Sequence, residues 1–147
     1  MWKLEASERI AHWRAFRLTI GGMSLEQAIQ ATAEFWQNCP HKPYYLDPTD
    51  PENWPNAWDL ITENYYCDIA KALAMLYTIA YSVHGNNLPM KICVYKDSET
   101  GYEYNLSVFD GGKYVINLLD GQVVNIKHIN DKFKLIYCYD SEKLKLQ

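Results

Sequence analysis

Cysteine pairs at C-x-x-C spacing, long apolar runs and an excess of basic charge are all missing from this chain of 147 residues. The first absence excludes a zinc knuckle and a dithiol redox motif, because both need two thiols a few residues apart. The four cysteines, Cys39, Cys67, Cys93 and Cys138, are scattered, and we expect reduced thiols in a cytosolic setting. The second absence excludes a helical membrane span of ~20 apolar residues; the best run, Ile69 to Val83, is broken by Lys71, Thr78 and Ser82. The opening Met1-Trp2-Lys3-Leu4-Glu5 has no basic-then-apolar leader pattern either. A net charge of −4 argues against a general nucleic-acid binder, which presents a basic face. His12, His41, His84 and His128 show no metal-ligand spacing. The acidic group Asp47, Asp50, Glu52 and Asn53 lacks the spacing and glycine of a calcium loop, and turn caps explain it. No cofactor or metal is expected.

Aromatic residues are what the chain has in abundance, with 12 Tyr, 5 Trp and 4 Phe. Tyr and Trp join a large apolar area to one polar handle, which suits a small core and a docking surface equally.

The pattern predicts a single α+β domain, helical over about residues 1–85 and a sheet over about 88–140. Ile10, Trp13, Phe16 and Ile20 recur at helical spacing in a first helix, and Gly21-Gly22 ends it with a left-handed turn. Ser24-Leu25-Glu26-Gln27 reads as a capping box opening a second helix to about Asn38, giving a helical hairpin. Five prolines between Cys39 and Asn56 make an irregular loop, anchored by Tyr44, Tyr45, Leu46, Trp54 and Trp58. After a short helix, a long central one runs from Asn64 to Val83, apolar on nearly every side and therefore buried. From Met90 the period changes to two. Five strands are predicted, Met90 to Lys96, Tyr102 to Phe109, Lys113 to Leu119, Gln122 to Lys127 and Lys132 to Tyr139, with Asp120-Gly121 as a two-residue hairpin turn. Short connectors make the sheet an antiparallel meander against the buried helix. Glu103, Asn105 and Ser107 are expected to face water.

A cysteine heading a helix, a strand, and then Tyr104-Asn105-Leu106-Ser107-Val108-Phe109-Asp110-Gly111-Gly112-Lys113-Tyr114-Val115-Ile116-Asn117 resembles the core of transglutaminase-like and papain-like cysteine enzymes. The resemblance, over about half the chain, implies Cys67 as nucleophile, Asn105 at a frequent Asn, and Asn117 near the third catalytic place. It puts Tyr102 at the histidine position, where a phenol cannot relay the thiol proton as an imidazole does. That weighs against an enzyme. The favoured reading of Cys67 is a small core hydrophobe, since Asp68 beside it disfavours a thiolate, and His41 and His128 are the histidines left open as its partner.

Three further stretches, Met1 to Ala6, Tyr44 to Pro48 and Tyr65 to Leu73, resemble small proteins of tailed marine bacteriophages, particularly cyanophages. This resemblance implies a virion, assembly or host-inhibiting protein in the host cytoplasm or the virion. The leading expectation is thus a non-enzymatic protein that binds another protein through Trp2, Trp13, Tyr44, Tyr45 and Trp54. The alternative is a thiol-dependent acyl transferase or cysteine peptidase using Cys67.

Overall fold

The computed structural model describes residues 1–144 and 146. Among the described residues, four α-helices precede a four-stranded antiparallel sheet. The first two, α1 (Ala6–Ile20) and α2 (Leu25–Trp36), form the expected hairpin. Its capping box is complete: the Ser24 hydroxyl accepts from the Gln27 N–H, and the Gln27 side-chain oxygen accepts from the Ser24 N–H. Gly21 ends α1 in a right-handed conformation instead of the left-handed turn expected, and a Cβ there would stand 3.3 Å from Val83. Close approach, and not a positive φ, is what glycine provides at this position.

The short α3 (Ala57–Glu63) is capped at its start by Asn56 and at its end by Arg9 of α1. The Arg9 side chain, 8% exposed, donates to the carbonyls of Ile61 at 2.9 Å, Thr62 at 2.7 Å, and Leu4. Helix C-termini leave such carbonyls without intrahelical partners.

The central helix α4 (Asp68–Ala80) is buried as predicted but shorter at both ends. Asn64 takes a left-handed φ of 59° and closes α3, and Tyr66 pairs with the backbone of the proline loop. Both residues are thereby unavailable to α4. Inside it, Thr78, one of the polar residues that break the apolar run, is fully buried. Its hydroxyl oxygen accepts from the Trp13 and Trp36 indoles at 2.9 and 3.0 Å and donates to the Ala74 carbonyl at 2.7 Å. One hydroxyl therefore joins three helices.

The sheet consists of β1 (Met90–Asp97), β2 (Glu103–Phe109), β3 (Tyr114–Ile116) and β4 (Phe133–Asp140), in the order β3-β2-β1-β4. Neither the fifth strand nor the simple meander forms. Asn117, at φ 77°, takes the chain out of β3, so Asp120-Gly121 sits in a wider loop than a two-residue hairpin. Of Gln122 to Lys127 only Val124 reaches the sheet, in an isolated bridge to Val115, and 126–128 turn into a short 3-10 helix. The segment after β3 covers the outer face, where Val124, Ile126 and Ile129 pack on Cys93, Leu106, Val108 and Val115.

This cover explains a reversal in β2. Its apolar row Leu106 and Val108 lies under that segment, while Asn105 and Ser107 turn toward α4 and are buried, not solvated as expected. The Ser107 hydroxyl donates to the Ala72 carbonyl at 2.6 Å, and only Glu103 remains exposed. On the other side of β1, Cys93 and Cys138 face each other across the β1–β4 ladder, Cα atoms 4.2 Å apart, and form a disulfide. The expectation of four reduced thiols is corrected; Cys39 and Cys67 are free. A register that pairs residues so distant in sequence cannot be read from spacing. No helix among the described residues is long and apolar enough to cross a membrane.

Candidate active site

The proline loop is held on both flanks. Backbone bonds run from the Tyr66 N–H to the Pro40 carbonyl and from the Lys42 N–H to the Tyr66 carbonyl, clamping His41 beside Tyr66. Farther along, the Trp54 indole donates to the Asp47 carbonyl and the Tyr139 hydroxyl to the Pro48 carbonyl. As expected, the acidic residues there serve turns: Asp47 accepts from Thr49, and Asp50 accepts from the Asn53 side chain. Among the described residues, no group of three or more His, Cys, Asp or Glu is placed to hold a metal.

Between this loop, the start of α4 and the start of β2 lies a cleft of about 870 Å3. Cys67 and His41 both line it. Cys67 is the N-cap residue of α4, in extended conformation, with a side chain that caps nothing and is 3% exposed.

Asp68, the next residue, is the fixed point of the site. One carboxylate oxygen accepts from the Asn105 backbone N–H at 3.0 Å and from its side-chain amide at 2.9 Å. The other accepts from the Asn117 amide at 3.2 Å, and that same amide donates to the Asn105 carbonyl at 2.9 Å. The left-handed turn at Asn117 is what aims its amide back at α4. Two strands are thus stitched to the residue after the thiol. The Asn105 side-chain oxygen, in contrast, is buried and has no hydrogen-bond partner.

Tyr102 stands 68% exposed on the rim, so the β2 side chain that reaches the start of α4 is Asn105. Of the other imidazoles, His84 contacts the Ile20 carbonyl at 2.8 Å and His12 stacks on Phe35, both remote from the cleft. Burial pushes the Tyr45 phenol well above its ordinary value, with Cys67 among the neighbours that reinforce the shift. It stays protonated and donates to the Tyr65 carbonyl at 3.0 Å. Burial likewise pushes the Cys39 thiol up to about 11.

The aromatic residues expected to form a docking surface are placed unevenly. Trp13 and Trp54 are buried at 0% and 2%, correcting their expected exposure, because each indole is spent on an internal hydrogen bond. Trp2 is half-buried against Phe35, Trp36 and Tyr66, Tyr45 is half-buried, and Tyr44 is 97% exposed.

The site is built on a cysteine-headed helix packed on an antiparallel sheet, with strand residues converging on its first turn. Solved structures of LapG from Legionella pneumophila share the fold. The calcium-bound form has a TM-score of 0.74 at 11% identity, over 95% of this chain and 78% of LapG. A second LapG structure gives 0.71 at 12% identity, over 92% and 75%, and an EGTA-treated one gives 0.71 at 12%, over 92% and 74%. No protein-family model and no curated protein matches the sequence. This shared fold overturns the expectation of a non-enzymatic phage binding or assembly protein and favours the thiol-dependent alternative.

Proposed function

We propose that this chain is a thiol-dependent acyl-transfer enzyme, a cysteine peptidase or acyl transferase of transglutaminase-like type, with Cys67 as nucleophile. The observation that carries the reading is that Cys67, at the start of α4, shares its cleft with His41 in a fold common to LapG. In this reading Cys67 Sγ attacks a substrate carbonyl carbon while the His41 imidazole takes the thiol proton. Collapse of the tetrahedral species breaks the C–N bond, and His41 returns the proton to the departing amine. Water then resolves the thioester in a peptidase, or an acceptor amine does so in a transferase. The imidazole arrives from the proline loop, through its backbone bridge to Tyr66, and Tyr102 takes no part in the proton transfer. Asp68, Asn105 and Asn117 are positioning residues that fix the start of α4 against the sheet.

Iodoacetamide labelling of the native protein, resolved by mass spectrometry, tests this reading. Cys67 should react well ahead of Cys39, whose raised pKa makes it an internal control. His41→Ala should slow Cys67 labelling at least about tenfold, on the scale of a lost general base. A Cys67 protected until the protein unfolds would refute the proposal.

A further inference from the structure

The cleft beside Cys67 carries acidic charge almost unopposed. Asp47, Asp68 and Glu103 line it, and no Lys or Arg does. Among the described residues none of these carboxylates is in an ion pair; Lys96, opposite Glu103 in the β1–β2 ladder, is not among the lining residues. Tyr44 and Tyr102 add open phenol rings at the rim. Such faces attract cations, and the chain's own Lys42 lies 4.3 Å from the Tyr65 ring centroid just outside the cleft. A second observation is independent of charge. Asn105, 6% exposed, lines the cleft with its amide nitrogen committed to Asp68 and its side-chain oxygen lacking any donor. An unpaired buried acceptor is a standing cost that an incoming N–H removes.

We infer that the cleft takes a peptide bearing a Lys or Arg side chain, with the cation among Asp47, Glu103 and the rim tyrosines and a peptide N–H on the Asn105 oxygen. This inference rests on the acyl-transfer reading and names its substrate class.

Fluorescence anisotropy on the Cys67→Ala protein, which binds without turnover, provides the test. The probes are three capped, dye-labelled hexapeptides identical except for a central Arg, norleucine or Glu. The Arg peptide should bind about two- to fivefold tighter than the norleucine one, the scale of one exposed ion pair, and the Glu peptide weakest. Glu103→Gln, at an exposed position, should remove about half or more of that preference. Equal affinities, or no binding of the Arg peptide at millimolar concentration, overturn the inference. Iodoacetamide labelling of Cys67 in the unmodified chain separates the two claims. A reactive thiol without the preference sinks the cation subsite alone. The preference with an unreactive thiol sinks the acyl-transfer reading and leaves a cleft that binds basic peptides.

Discussion

The two ends of α4 handle polar groups in opposite ways. Toward its C-terminus, Thr78 is fully buried, and both indoles and the carbonyl around it are satisfied. At its N-terminus, Asp68 gathers two asparagines, one asparagine has a left-handed backbone, and one side-chain oxygen is left without a donor beside an open cleft. A saturated network in a dry interior fixes the fold, because removing one member strands the others. An unsaturated one next to solvent costs stability and is the kind of arrangement found where a ligand completes the site. Along one helix of thirteen residues, the saturated network lies at one end and the unsaturated one, beside the proposed nucleophile, at the other.

Substitutions at the two ends should therefore separate activity from stability. The largest effect is expected from Cys67→Ala, with kcat/KM on an activated ester falling about a thousandfold or more, while thermal unfolding shifts little. Parallel loss of both would erase the contrast. Thr78→Val should do the reverse: two buried indole N–H groups lose their acceptor, costing ~3 kcal/mol and about 10 °C in Tm. Retained stability there would show that the indoles find other partners. Arg9→Met, which frees two carbonyls at the end of α3 and that of Leu4, should cost ~2 kcal/mol in urea unfolding and leave Cys67 labelling unchanged. Asn117→Gly keeps the left-handed turn and removes only the amide. It should cost ~1 kcal/mol yet slow Cys67 alkylation, because the start of α4 loses its tie to β3. Tyr44→Ala, at a fully solvated ring, should leave stability within about 0.5 kcal/mol.

The elements that local chemistry dictates were legible in the sequence. The capping box at Ser24, the alternation of β1 and the all-round apolar surface of α4 each follow from residues within a few positions of one another. What the sequence did not disclose depends on long-range pairing. Tyr65 and Tyr66 continue a helical pattern, but Tyr66 is taken by the backbone around His41. Asn105 and Ser107 read as a solvated face because nothing local reveals that residues after β3 fold over the opposite one. Cys67 and Asn117 were visible as candidates, and both lie at the start of α4 or bound to it. His41 was legible only as one of two histidines, with His128, open as partners to Cys67, since its neighbourhood with Cys67 is created by two backbone hydrogen bonds.

The strand order has a consequence best expressed in time. With β2 on one side and β4 on the other, β1 has no free edge, so its amides exchange with solvent only when a neighbouring strand lets go. β4 is exposed along most of its length and has little core to hold it. The Cys93–Cys138 link therefore acts as a latch between β4 and the interior strand β1. With the latch closed, β4 peels and returns without parting from β1. With the latch opened by a reductant, deuterium should enter Ile92 to Val94 sooner, while the amides of α4 around Thr78 keep their pace.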